Sequence, residues 1–217
     1  MGSSRVQGLY VIIDPQQTAG RAAVEVARQA LVGGASMLQW RDKARDKGDQ
    51  LADARAIAGL CRQRGALFIV NDHVDLALAC GADGVHLGQK DLPPAAVRPF
   101  LPPDFVIGVS TNNAHEAREA QAEGASYVAV GSIFPTTSKD VTRSASPERL
   151  HEVKSAVDVP VVAIGGVNES NVDRVLAAGA DAVAVISAVA MADDVRSAAE
   201  RLAKRIAAHR ARAGAAP

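Results

Sequence analysis

Gly33-Gly34-Ala35-Ser36-Met37-Leu38-Gln39-Trp40-Arg41-Asp42-Lys43 is the stretch on which the reading of this chain turns. A glycine pair able to end a helix precedes a short apolar run, which closes on one amide and two cations. The side-chain period of a strand is two, so Gln39, Arg41 and Lys43 fall on one side. Such a trio at a strand's C-terminal edge suits a multiply charged anion such as pyrophosphate. The alternating signs of Arg41-Asp42-Lys43-Ala44-Arg45-Asp46-Lys47 also fit a plain solvated loop. What other strands carry at their ends decides between the two.

The glycine device recurs along the chain. Gly34-Ala35, Gly81-Ala82, Gly124-Ala125 and Gly179-Ala180 precede strand candidates 2, 4, 6 and 8, and Gly65-Ala66 precedes the third. A left-handed glycine ends a helix in this way. The strand candidates are Leu9–Ile13, Met37–Trp40, Leu67–Val70, Gly84–Leu87, Val106–Val109, Tyr127–Val130, Val161–Ile164 and Ala182–Ile186. Helical periodicity follows each, over roughly 18–32, 49–64, 73–79, 92–99, 113–122, 147–156, 169–177 and 191–210. Apolar strands alternating with helices indicate a parallel sheet covered on both faces. Eight uniform units close naturally into a single-domain (β/α)8 TIM barrel. A doubly wound open sheet fits less well, and no GxGxxG follows the first strand.

The 217 residues suffice for one such domain, expected at about 8–205 with flexible termini over 1–7 and 210–217. Lys+Arg and Asp+Glu are 24 each, so charge draws the chain to neither nucleic acid nor membrane. Aromatics are 3%, too few for a base-stacking platform, so the core must be aliphatic. No apolar run reaches membrane-spanning length and no signal peptide is evident, so the expected compartment is the cytoplasm. Cys61 and Cys80 lack metal or redox spacing and read as small buried hydrophobes. A homo-oligomer is left open.

Active sites of such barrels lie at the C-terminal strand ends. There the sequence places Asp14-Pro15, Gln39 with Arg41 and Lys43, Asn71-Asp72, the run His86-Leu87-Gly88-Gln89-Lys90-Asp91, Ser110-Thr111, Gly131 with Phe134 to Lys139, Gly165-Gly166, and Ile186-Ser187. Three groups emerge. Arg41, Lys43 and Lys139 are cationic. Asp72 and Asp91 form a carboxylate pair suited to Mg²⁺, a hard ion that shares its shell with phosphate and water. Gly165-Gly166 and the turn after Ile186 offer bare amides to a second phosphate. Plainer readings stand beside these. Asp72 and Asp91 could cap the helices that follow them. Gly165-Gly166 could be only a turn, and His86 reads as a core or supporting histidine before a general base. Lys139 lies in a Thr/Ser-rich loop, which fits a phosphate grip on a lid better than an imine-forming lysine. The ligand set is a Mg²⁺-pyrophosphate and a second phosphate, implying transfer of an organic group from its diphosphate to a phosphorylated acceptor.

These motifs resemble the thiamine-phosphate synthase family over about residues 8–205. The likeness rests on Gln39-x-Arg41-x-Lys43, Asn71-Asp72, His86-Leu87-Gly88-Gln89-x-Asp91, Gly108-Val109-Ser110, Gly131-x-Ile133-Phe134-Pro135-Thr136-x-Ser138-Lys139, Gly165-Gly166 and Val185-Ile186-Ser187. The resemblance implies a TIM barrel that joins hydroxymethylpyrimidine diphosphate to thiazole phosphate, using Mg²⁺ and only small-molecule substrates. It implies that Gln39 bonds the pyrimidine and that Arg41, Lys43, Asn71, Ser110 and Lys139 hold the pyrophosphate. It further implies Asp72 and Asp91 on Mg²⁺, Thr136 and Ser138 on the substrates, and Gly166, Ile186 and Ser187 on the thiazole phosphate. The chain departs from the family at Ser138, usually Thr, at Trp40, commonly aliphatic and expected to face the helices, and at Ser132, commonly Pro. A tautomerase-like paralogue would not use the five residues Gln39, Arg41, Lys43, Asp72 and Asp91 together. An imine-forming aldolase and a non-catalytic phosphate-binding barrel are the remaining rivals.

Overall fold

A computed structural model describes residues 5–135 and 145–214. The strands are β1 (Gly8–Ile13), β2 (Met37–Trp40), β3 (Leu67–Asn71), β4 (Gly84–Leu87), β5 (Val106–Thr111), β6 (Tyr127–Val130), β7 (Val161–Ile164) and β8 (Ala182–Val185). Each pairs in parallel with its sequence neighbour, and β8 returns to β1 through Leu9 opposite Val183, so the barrel is closed. Helices α1 (Ala23–Val32), α2 (Lys47–Arg64), α3 (Val74–Cys80), α4 (Pro94–Val97), α5 (Ala114–Ala122), α6 (Pro147–Lys154), α7 (Val172–Ala177), α8 (Ser187–Ala190) and α9 (Val195–Gly214) surround it.

Period-two alternation sorts the strand side chains into two cores. Tyr10, Met37, Leu67, Ile69, Tyr127 and Val162 fill the barrel, with Val6 buried among them. Leu9, Val11, Ile13, Leu38, Trp40 and Phe68 face outward onto the helices. Trp40 therefore packs as the sequence predicts, and its Nε1 donates to Gln50 Oε1 on α2 at 2.9 Å. Cys61 and Cys80 are both buried and free.

The Gly-Ala repeats do more than stop helices. Gly34, Gly81, Gly124 and Gly179 all have left-handed φ, between +72° and +97°. The following alanine amide turns back to the helix, as in Ala82 N to Ala77 O at 2.9 Å. The next residue then joins the strand layer. Asp83, Ser126 and Asp181 each accept an amide from a neighbouring strand, at Phe68, Ile107 and Val161. Only the glycine and alanine were legible in the sequence; the third position carries the tie that sets strand register.

Two helices differ from their expected spans. The first begins at Ala23 rather than near residue 18, because Ala19 and Gly20 take positive φ and divide it from a short 3-10 turn at Pro15–Gln17. The last begins at Val195 rather than near residue 191, since Asp194 accepts the Ser197 amide at 2.9 Å and caps it, and the short α8 stands before the expected span. That helix runs to Gly214, beyond the expected end near residue 210.

Candidate active site

Gln39 sits inside the barrel, 2% exposed, because its strand position matches Ile12 of β1 and Ile69 of β3. Its Nε2 donates to the Tyr10 hydroxyl at 2.7 Å. Arg41, at the β2 edge, pairs with Asp14 at the end of β1. Asp14 also accepts the Gln16 amide at 3.0 Å, so it is fixed by its own turn before it holds the guanidinium.

The alternating charges after β2 are not a uniform solvated loop. Arg41 and Lys43 reach the strand ends. Asp42 is buried and accepts the amides of Ala44 and Arg45 at 3.0 and 3.1 Å. Burial works against its ionisation, but the Arg45 guanidinium and those amides outweigh it and hold the carboxyl below its ordinary range. Arg45 lies over the Trp40 ring at 5.5 Å. Lys47 pairs with Asp75 on α3. The run thus serves two tasks: Arg41 and Lys43 reach the site, while Asp42, Arg45 and Lys47 brace the scaffold.

Asp72 and Asp91 come together above β3 and β4. Neither caps a helix: His73 and Pro93 occupy those positions, with no side-chain cap on either helix. Asp72 has φ +61°, a left-handed bend, and its amide donates to His86 O at 2.8 Å. Asp91 accepts the Gly88 amide at 2.6 Å. Burial raises the Asp91 pKa; the Gly88 amide opposes this, and the neighbouring Asp72 charge adds to it. Lys43 Nζ lies 3.2 Å from Asp72 Oδ2 and balances part of the negative charge. Among the described residues no three His, Cys, Asp or Glu side chains form a metal cage. Two carboxylates, one with its ionised form disfavoured, suit a hard cation that takes its remaining oxygens from phosphate and water.

Asn71 is buried at the β3 end. Ser110, at the β5 end, bonds His86 Nε2 at 2.9 Å. His86 is 8% exposed and its Nδ1 meets the Tyr127 hydroxyl at 3.0 Å, so it supports other groups from within the barrel. Tyr127 meets Tyr10 at 3.1 Å. Sequence reasoning missed both tyrosines; the one signal was a hydroxyl-bearing ring at an inward position of an otherwise aliphatic strand. Arg21 was also missed. It donates to Ala190 O at 3.0 Å and Ala192 O at 2.8 Å, tying the β1 loop to the end of α8.

Gly165 and Gly166 both have positive φ, +99° and +64°. A Cβ on Gly166 would lie 2.5 Å from Pro135 O and 2.8 Å from Phe134, so the loop after β6 closes directly onto this turn. Asn171 Nδ2 holds the Gly166 carbonyl at 2.9 Å. Ile186 and Ser187 stand at the start of α8 on the adjacent strand end. Thr136, Ser138 and Lys139 lie outside the described residues. No described helix is long and apolar enough to cross a membrane.

A family model described as thiamine monophosphate synthase matches residues 9–189. A thiamine-phosphate synthase of Moorella thermoacetica is 48% identical over 195 residues, 89% of this chain and 93% of that protein. One of Methanoregula boonei is 50% identical over 202 residues, 91% of this chain and 92% of that protein. The solved structure of a thiamine phosphate pyrophosphorylase from Pyrococcus furiosus has a TM-score of 0.88 at 40% identity, covering 95% of this chain and 98% of that one.

Proposed function

Since the chain belongs to the thiamine monophosphate synthase family, we propose that its strand-end site condenses hydroxymethylpyrimidine diphosphate with thiazole phosphate in a Mg²⁺-dependent reaction. The activity is that of a thiamine-phosphate synthase, a transferase acting on small molecules. The observation that carries the finer reading is the convergence of Arg41, Lys43, Asp72 and Asp91 on neighbouring strand ends. Two cations beside two carboxylates suit a metal-bound pyrophosphate, whereas a single phosphate needs no such set.

The chemistry follows from those groups. The bond between the pyrimidine methylene carbon and the diphosphate oxygen breaks, and its electron pair leaves with pyrophosphate. The 4-amino group donates electron density through the ring to the methylene, which makes early departure feasible. The thiazole nitrogen lone pair then forms the new C–N bond, giving thiamine phosphate. No nucleophilic side chain is required, so the protein's part is to stabilise leaving charge and to position the acceptor.

Arg41, Lys43, Asn71, Ser110 and Lys139 hold the pyrophosphate in this reading, and Gln39 orients the pyrimidine. Asp72 and Asp91 would hold Mg²⁺, which neutralises phosphate charge when bound. Gly166, Ile186 and Ser187 receive the thiazole phosphate, with Thr136 and Ser138 contacting the substrates. The reaction belongs in the cytoplasm.

The test is incubation of the protein with both substrates, with and without Mg²⁺, followed by assay of thiamine phosphate. Mg²⁺-dependent product is expected. Product formed equally well in excess chelator would overturn the metal reading, and no product from folded protein would overturn the transferase reading.

A further inference from the structure

Five side chains from five strands form an unbroken file of hydrogen bonds through the barrel. Gln39 Nε2 donates to Tyr10 at 2.7 Å, Tyr10 meets Tyr127 at 3.1 Å, Tyr127 meets His86 Nδ1 at 3.0 Å, and His86 Nε2 meets Ser110 at 2.9 Å. The file begins at the group assigned to the pyrimidine and ends at one assigned to the diphosphate. It is well built. The Tyr10 and Tyr127 rings pack edge to face at 6.3 Å, and Tyr127 stacks on His86 at 5.6 Å. Gly108 makes room for it, since a Cβ there would lie 2.0 Å from Tyr127 Cζ. Burial pushes both phenols well above their ordinary pKa, so each carries one proton to place.

Counting those protons gives the file a direction. Tyr10 accepts from Gln39, so its own proton goes to Tyr127. The Tyr127 proton goes to His86 Nδ1. A neutral imidazole that accepts at Nδ1 donates at Nε2, here to Ser110 Oγ. The Ser110 proton is then free for an anion. Turning the Gln39 amide over would reverse every bond, and Ser110 would spend its proton on His86. Gln39 Oε1 meanwhile takes no donor from the described residues.

The geometry points to Tyr10, Tyr127 and His86 as positioning residues that couple the two ends of the substrate: when Ser110 donates to the diphosphate, Gln39 must present its carbonyl oxygen, an acceptor, to the pyrimidine. This rests on the proposed function and adds the origin of one specificity. An acceptor at Gln39 recognises a ring bearing an exocyclic amine and rejects the matching oxo ring, whose oxygen would face it.

The experiment compares kcat/KM for the amino pyrimidine diphosphate and its 4-oxo counterpart in the unaltered enzyme, Tyr10→Phe and Tyr127→Phe. Either variant removes one hydroxyl from the file. Comparing ratios between enzymes cancels the intrinsic reactivity difference of the two substrates. The amino-over-oxo preference is expected to fall about tenfold in each variant, the order of one lost hydrogen bond. An unchanged ratio, including equal losses on both substrates, overturns the proposal. Nitrogen NMR of the His86 ring, in unaltered protein with Mg²⁺ and inorganic pyrophosphate, needs no variant. A proton on Nε2 is expected, and one on Nδ1 overturns the proposal. Unaltered enzyme that makes no thiamine phosphate would instead defeat the functional reading, while the His86 spectrum would still decide the direction of the file.

Discussion

Asp14 and Arg41 form an ion pair across the ends of β1 and β2, with side chains 6% and 14% exposed. The carboxylate is anchored by the Gln16 amide, so the pair fixes the guanidinium rather than merely neutralising it. Asp14→Ala should leave Arg41 without its partner at a nearly closed site. Breaking such a pair costs about 3 kcal/mol. The expected result is a lowered urea midpoint together with a raised KM for the pyrimidine diphosphate. A normal KM would show that Arg41 needs no aim from Asp14.

Asp91 gives a prediction in the opposite direction for stability. Its folded-state pKa is raised, so its stabilising protonated form is present in acid and is lost as pH rises through that value. Without Mg²⁺, Asp91→Asn should match the unaltered protein in acid and exceed it near neutrality, by about 2–4 °C in Tm for ~1 kcal/mol. The same change should abolish most Mg²⁺-dependent activity. Thermal scans across pH, in chelator, check the first part. A variant less stable at neutral pH would mean that repulsion from Asp72 is already offset by Lys43.

Gly166→Ala tests the second phosphate site. The residue has φ +64° and its absent Cβ faces Pro135 O. A side chain there must push the loop after β6 outward or distort the turn, at about 1–3 kcal/mol. KM for thiazole phosphate should rise more than about tenfold, with a smaller effect on KM for the diphosphate. Equal effects on both would place the damage in the barrel as a whole.

Arg21→Ala separates scaffold from chemistry. The guanidinium donates to the carbonyls of Ala190, the last residue of the short helix that begins at Ser187, and of Ala192 just past it. Losing these charged hydrogen bonds should cost about 2 kcal/mol. KM for thiazole phosphate should rise, because α8 loses its tether, while Mg²⁺ dependence stays unchanged. An altered Mg²⁺ titration would contradict this placement.

The sequence by itself determined the architecture. Strand period, helical period and the recurring Gly-Ala step are local properties, written in runs of residues that share one environment. They located all eight strands because a parallel barrel buries every strand on both faces. They also placed the candidate groups at strand ends, since polar residues interrupt apolar runs there. What only the tertiary structure decided was pairing between distant elements. That Asp14 serves Arg41 and that Lys43 reaches Asp72 depend on the pairing of adjacent strands, and that Tyr10, Tyr127 and His86 join into one file depends on closure, which brings Tyr10 and Tyr127, 117 positions apart, within hydrogen-bond reach. That neither Asp72 nor Asp91 caps the helix after it was likewise decided by three-dimensional position, because either could cap until the chain set His73 and Pro93 at those helix starts.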